Sequence, residues 1–346
     1  VNVALAPPAP SLDALVEHAE HEERLGRWNS TAQAYSRLFR AALEQGEMVR
    51  AVNALRGQAR VRREQGRYEE AAELVELSRE IAERHGEMQE AARAVNALGV
   101  ILYAEGQWPE AAALYERALN LAIDLGDDEL VGFACQNLGV LANTQGRLRD
   151  ARIHYLESIG SSVRSGNKRN EMMAYNNLGF VCGNLKEWLE AEVYFDRAIE
   201  IADRDGDSAH MASLLANRAL PLLQVGELAR ARETLRQAEE AARRIDSRVA
   251  LADIARFRGM LARLEGDSAE ARRYFDQSLA LTTGSGLEYE RAKALAEIGS
   301  LHLEEGRTSR AATVLQTAGE IFRSLGAVRD AHQTEVLLET LSEPES

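Results

Sequence analysis

The chain has 346 residues and a formal net charge of −14 from 41 basic and 55 acidic side chains, which argues against general affinity for nucleic acid or an anionic membrane surface. Two cysteines are too few for a disulfide framework, and no stretch approaches the ~18 consecutive apolar residues of a membrane-spanning helix. No phosphate-binding loop, H-E-x-x-H or C-x-x-C pattern occurs, so the motifs offer no catalytic centre, cofactor site or metal site.

Residues 1–10, VNVALAPPAP, are expected to be extended, because Pro7, Pro8 and Pro10 forbid a helix. They lack the basic start of a signal peptide, so a cytoplasmic location is expected. Ser11 is placed to cap a first helix, whose residues Glu17, Glu20, Glu22 and Glu23 suit a solvated end. His18 and His21 share one face of it, as a weak metal pair or as part of a polar surface. Basic residues are nearly all arginine, with lysine only at Lys168, Lys186 and Lys293, which points to a GC-rich bacterial coding sequence.

From residue 11 to 326 one pattern repeats. The stretch from Asn96 to Gly126 carries an apolar stripe at Leu98, Ile101 and Leu102, a turn at Gly106, and a second stripe from Ala111 to Ala122. Both stripes have helical spacing, and Pro109 suits the first turn of the second helix. Gly106 stands in a column spaced by forty residues: Gly26, Gly66, Gly106, Gly146, Lys186, Gly226, Gly266, Gly306. A second column marks the links between units: Gly46, Gly86, Gly126, Gly166, Gly206, Asp246, Gly286, Gly326. With 25 glycines in the whole chain, such columns establish an internal repeat.

Two more columns describe packing. Ala19, Ala59, Gly99, Gly139, Gly179, Ala219, Gly259 and Gly299 are all small. Tyr35, Val75, Tyr115, Tyr155, Phe195, Leu235, Phe275 and Leu315, on the second helices, are their bulky counterparts. An apolar plug at Trp28, Tyr68, Trp108, Leu148, Trp188 and Leu228 fades to Ser268 and Thr308, so the last two units should be looser, as the stretch TTGSG at 282–286 also suggests. Cys135 and Cys182 read as reduced packing residues, with a redox pair as the alternative. Pro221 falls inside a helix, as a kink or as a means of freeing the Asn217 carbonyl for a ligand. Residues 327–342 read as a final covering helix, and 343–346 as a disordered tail.

The order Leu98, Gly99, Ala111, Tyr115, Ala118 resembles the tetratricopeptide repeat signature, lengthened here from 34 to 40 residues and without the late proline. The chain is most similar to the long-repeat branch that includes Pins-type scaffolds, kinesin light chains and bacterial Rap-type regulators. The resemblance implies an all-α, right-handed α-solenoid of eight antiparallel helix pairs at 11–326 with a capping helix. It also implies that the first helix of each pair lines a concave groove.

On those first helices the column Asn137, Asn177, Asn217 forms a ladder, with Asn176 beside it. An amide offers donor and acceptor together, as an extended peptide backbone requires. The resembled family uses asparagine here in that way; exposed polar residues or local caps are the alternative. Arg56, Arg60, Arg63 and Arg93 flank the ladder on one side, and Arg256 and Arg263 on the other. They suit an acidic segment or a free C-terminal carboxylate, or else pair with neighbouring glutamates. Tyr103, Phe133 and Phe180, with Val100, Val140, Met173, Leu220 and Leu223, make an apolar strip between them. The expected function is a non-enzymatic adaptor that binds a protein or peptide segment without cofactor, metal or membrane. The alternatives are a peptide-responsive signalling module and an RNA-binding repeat. No feature of the sequence sets the oligomeric state.

Overall fold

The computed structural model of the protein describes residues 10–24, 27–284 and 286–341. The extended start expected at 1–10, apart from Pro10, and the tail at 343–346 lie outside the described residues, as do Gly26 and Ser285. Every regular element among the described residues is helical. The helices are α1 Leu12–Arg24, α2 Trp28–Glu44, α3 Met48–Glu64, α4 Tyr68–His85, α5 Met88–Ala104, α6 Trp108–Leu125, α7 Asp128–Thr144, α8 Leu148–Ser165 and α9 Lys168–Asn184. They continue with α10 Trp188–Arg204, α11 Ser208–Gln224, α12 Leu228–Arg244, α13 Arg248–Leu264, α14 Ser268–Thr282, α15 Glu288–Glu304, α16 Thr308–Ser324 and α17 Val328–Glu339.

The turns explain the glycine columns. Gly106 adopts φ +84°, and the N–H of Gln107 reaches back to the Leu102 carbonyl at 2.9 Å, which closes the end of α5 with a left-handed cap. The two columns hold one non-glycine residue each, and both keep the conformation: Lys186 has φ 62° and Asp246 has φ 51°. Glu187 N–H and Ser247 N–H still bond to the Cys182 and Ala242 carbonyls, at 2.9 and 3.0 Å. Ser11 Oγ accepts the Ala14 N–H at 3.2 Å, as its position before α1 requires.

The chain divides into two compact units, residues 1–138 and 139–346. In the first, α1 to α6 pack in chain order, and α3 also touches α5. In the second, α8 to α17 pack in chain order, and α13 touches both α11 and α15. The core of each is made by the small and bulky columns. A methyl group added at Gly99 would lie 2.7 Å from the Tyr115 ring, and one at Gly179 would lie 2.8 Å from that of Phe195. Tyr115, Tyr155, Phe195 and Phe275 are fully buried. Glycine is therefore needed where an aromatic ring crosses the facing helix, and also at Gly299, where an added methyl would lie 2.6 Å from Leu315. Alanine suffices opposite Val75 and Leu235, while Tyr35, opposite Ala19, leans instead on Gly57 of α3. Where the apolar plug is lost at Ser268, Asp267 caps α14 through the Glu270 N–H at 2.9 Å.

Cys135 and Cys182 are both buried and not joined in a disulfide. Burial pushes the Cys182 thiol above its ordinary range, against the nearby Arg152 guanidinium. Pro221 is buried inside α11, which runs on unbroken to Gln224. α17 packs on α16 through Ala331, against Ala318 and Phe322.

Candidate peptide-binding grooves

Six asparagines of the first helices are joined in three rungs, and Asn177 belongs to none of them. Asn137 Nδ2 donates to Asn96 Oδ1 at 3.0 Å in the first unit. In the second, Asn217 Nδ2 donates to Asn176 Oδ1 at 2.9 Å and Asn184 Nδ2 to Asn143 Oδ1 at 3.4 Å. Each rung spans 41 residues, one repeat plus one position, which is the step that brings neighbouring first helices side by side. A rung uses one donor and one acceptor, and two amides carry four N–H groups and two carbonyl oxygens. Each rung thus orients its amides and leaves further donors and acceptors for a ligand. Asn177 and Asn217 both line a cavity in the second unit. Sequence reasoning missed Asn96, Asn143 and Asn184; recurrence of asparagine at 41 rather than 40 residues was the signal.

The arginines are all engaged with carboxylates. Arg56 pairs with Glu90 and donates to its main-chain carbonyl at 3.2 Å. Arg60 holds Glu23 at 2.7 Å and the Tyr35 hydroxyl at 2.9 Å. Arg63 pairs with Glu64 at 2.5 Å, and Arg93 with Asp127 and Glu129, each at 2.9 Å. Arg256 pairs with Asp253 at 3.0 Å and lies over the Phe257 ring, while Arg263 meets Glu297 at 3.1 Å. The paired alternative of the sequence reading therefore describes their resting state. Asp253 also receives Lys293 Nζ at 2.9 Å. Burial alone would raise the Asp253 carboxyl, but Lys293 and Arg256 hold it below its usual range.

Two cavities gather most of the anticipated residues. In the first unit a cavity of about 320 Å³ is lined by Arg56, Arg60, Arg63, Arg93, Asn96 and Phe133 together with apolar residues of α3, α4, α5 and α7. In the second unit a longer groove of about 680 Å³ runs over the first helices to α17. Asn177, Phe180 and Asn184 of α9 line it at helical spacing, as do Ser213, Asn217, Leu220 and Gln224 of α11. Arg256 and Arg263 follow on α13, and Lys293 and Ser300 on α15. Phe180 meets the buried Phe195 edge-on, with ring centroids 5.4 Å apart. Tyr103 is half-buried and lines neither cavity, and Leu223 belongs to the core rather than the strip.

α17 supplies groove residues that sequence reasoning did not single out. Arg329, Gln333 and Leu337 line the groove beside Asp330. Asp330 accepts the Tyr289 hydroxyl at 3.0 Å and a long bond from Arg329 at 3.4 Å. The Nε and Nη1 of Arg329 are shielded from solvent and lack a hydrogen-bond partner among the described residues. No group of three or more His, Cys, Asp or Glu side chains among the described residues is placed to hold a metal ion. No described helix is long and apolar enough to cross a membrane.

Family models of the tetratricopeptide repeat match residues 16–82, 90–160, 170–244 and 258–322. The chain is a tetratricopeptide repeat protein. Its fold is an all-α solenoid, as in several solved structures. A tetratricopeptide repeat protein from Parabacteroides merdae is 15% identical, with a TM-score of 0.59 over 84% of this chain and 99% of that one. Aspartyl phosphate phosphatase F from Bacillus subtilis is 10% identical, with a TM-score of 0.64 over 83% of this chain and 75% of its own. A Rap protein complexed with competence and sporulation factor is 10% identical, with a TM-score of 0.59 over 96% and 97%. No curated protein matches the chain in sequence. Tetratricopeptide repeats of this kind support protein interaction, as an adaptor or a regulator.

Proposed function

We propose that the protein is a non-enzymatic adaptor that binds an extended peptide segment along the first-helix grooves, with the ladder amides addressing the peptide backbone. The observation that carries this reading is the 680 Å³ groove of the second unit, lined at regular helical spacing by Asn177, Asn184, Asn217 and Gln224. A peptide backbone presents alternating donors and acceptors, and these amide side chains, of which Asn184 and Asn217 are oriented by rungs, answer both without a charge of their own. Arg329, which lines the groove at the α17 wall, has two nitrogens, Nε and Nη1, without a partner among the described residues, and its guanidinium suits a side-chain or C-terminal carboxylate of the ligand. A second reading, a peptide-responsive regulator, draws on the likeness to the Rap protein complexed with competence and sporulation factor.

The test is a peptide array probed with wild type and with Asn177→Ala/Asn217→Ala. Peptides retained by wild type should lose about tenfold in affinity when two backbone-directed amides are removed, with thermal unfolding nearly unchanged. Equal affinity for both proteins would remove the groove assignment. Arg329→Gln should selectively weaken peptides with a free C-terminus or an acidic residue; an equal loss for amidated neutral peptides would count against the carboxylate.

A further inference from the structure

The second helices of the second unit turn one side to the core and the other to solvent. On α12 and α14 the outward side is charged: Glu233 and Arg236 are followed one repeat on by Arg273 and Asp276, and all four are exposed. The same positions on α8 hold Ile153 and Leu156, and α10 has Val193 where α8 has Ile153. Val163 on α8 and Leu189 on α10 extend the patch, and these five side chains are 46–70% exposed. On α8 they share one face by helical spacing. That helix is thus apolar on its outer side as well as at Tyr155 and Ile159, which it buries. The repeat is its own control, since α12 and α14 build the same fold with charges at these positions.

Two contacts describe the patch further. Arg152 of α8 pairs with Glu187, the N-cap residue of α10, so the two helices start side by side and their apolar residues form one surface. Gly160 falls on the α8 stripe one turn after Leu156. A methyl group added there would meet only the far end of Arg164, at 3.6 Å. Glycine in a helix interior costs about 1 kcal/mol relative to alanine, and packing among the described residues does not require it here. A helix laid over α8 from outside does.

Charge selects the occupant. Exposed charges along the outer side of α8 run Arg149, Glu157, Arg164, and about one repeat on α10 carries Glu190, Arg197 and Asp203. The sign is reversed at each step. Arg197 holds Glu200 of its own helix at 2.8 Å, an exposed pair of small worth that exchanges readily. Within one chain α8 and α10 lie side by side, whereas α10 of another copy can lie face to face on α8.

We propose that the outer face of α8 and α10 is a contact surface for a second copy of this chain. A two-fold axis parallel to the helices lays α8 of each copy on α10 of the other, so every contact occurs twice. Ile153 meets the partner's Val193, and Arg149 and Glu157 meet the partner's Glu190 and the partner's Arg197. Two helices about 26 Å long and about 10 Å wide present roughly 500 Å² per copy, short of the roughly 800 Å² of a standard interface, so the association is a micromolar one. None of these residues lines the groove of the second unit, so the contact leaves the proposed peptide site open.

Sedimentation velocity over roughly 1–200 µM should show wild type passing from monomer to dimer. Ile153→Asp/Val193→Asp should stay monomeric throughout, with helicity and melting temperature at low concentration nearly unchanged. Arg149→Glu and Glu190→Arg should each weaken association by about tenfold, because each sets like charges opposite one another twice per dimer. An equimolar mixture of these two variants should regain wild-type association. In the mixed dimer the introduced glutamate meets the introduced arginine, and the native Arg149 of one chain meets the native Glu190 of the other. Pairing within a chain cannot produce that recovery. A wild type that remains monomeric would give the face to a different protein and overturn the proposal. So would a dimer indifferent to Ile153→Asp/Val193→Asp, or a mixture no stronger than its components.

Discussion

Lys186 and Asp246 carry the clearest unrelieved strain at the level of single residues. Both occupy left-handed caps that glycine fills in the other described units. A side chain with a Cβ is disfavoured in that conformation. Lys186→Gly and Asp246→Gly should each stabilise the protein by about 0.5–1 kcal/mol, measured as a rise in urea midpoint; a fall at either would show that the side chain contributes more than its backbone costs. The small and bulky columns set the opposite case. Phe195 is buried against Gly179, so Phe195→Ala should cost about 3–5 kcal/mol. Gly179→Ala, whose methyl would meet the same ring at 2.8 Å, should also destabilise.

Single helices are tied to their neighbours by a few charged groups, and these make a pH dependence. Asp253 on α13 sits between Arg256 of its own helix and Lys293 of α15. Its carboxyl is held below the usual range in the folded protein. The stabilisation is therefore fully present above the ordinary carboxylate pKa and is lost as the pH falls through the lower folded value. Asp253→Asn should flatten the acid limb of the stability profile between neutral pH and about pH 3; an unchanged limb would assign acid unfolding to other carboxylates. α17 belongs to the same scale. It covers Ala318 and Phe322 and lines the groove with Arg329, Gln333 and Leu337. Removing residues 328–346 should lower stability and weaken retained peptides together, whereas a loss of stability alone would leave the groove without this wall's contribution.

In each compact unit of the molecule, contacts run between helices adjacent in sequence or next but one. Stability in such an array is close to a sum of local terms. Phe275→Ala should therefore reduce hydrogen-exchange protection in α13 to α16 and leave α1 to α6 protected as in wild type. Uniform loss along the chain would instead indicate one cooperative unit.

Much of this protein was legible without coordinates, because its architecture is written in short-range terms. Turn glycines, helix period and small-to-bulky pairing each involve residues within one forty-residue unit, and the same pattern recurs until chance is excluded. The family resemblance puts Asn177, Asn217, Phe180, Arg256 and Arg263 on the groove side, and Phe133 with the arginines of α3 and α5, and these residues line the two cavities. Tertiary structure decided the rest. Whether Asn137 stands free or donates to Asn96, and whether Arg93 offers charge or spends it on Asp127 and Glu129, depends on distances between helices that no local pattern specifies. The contribution of α17 to the groove is likewise a property of neighbours meeting in three dimensions. Periodicity determines which face a residue occupies; packing between faces determines what that residue has left to give a ligand.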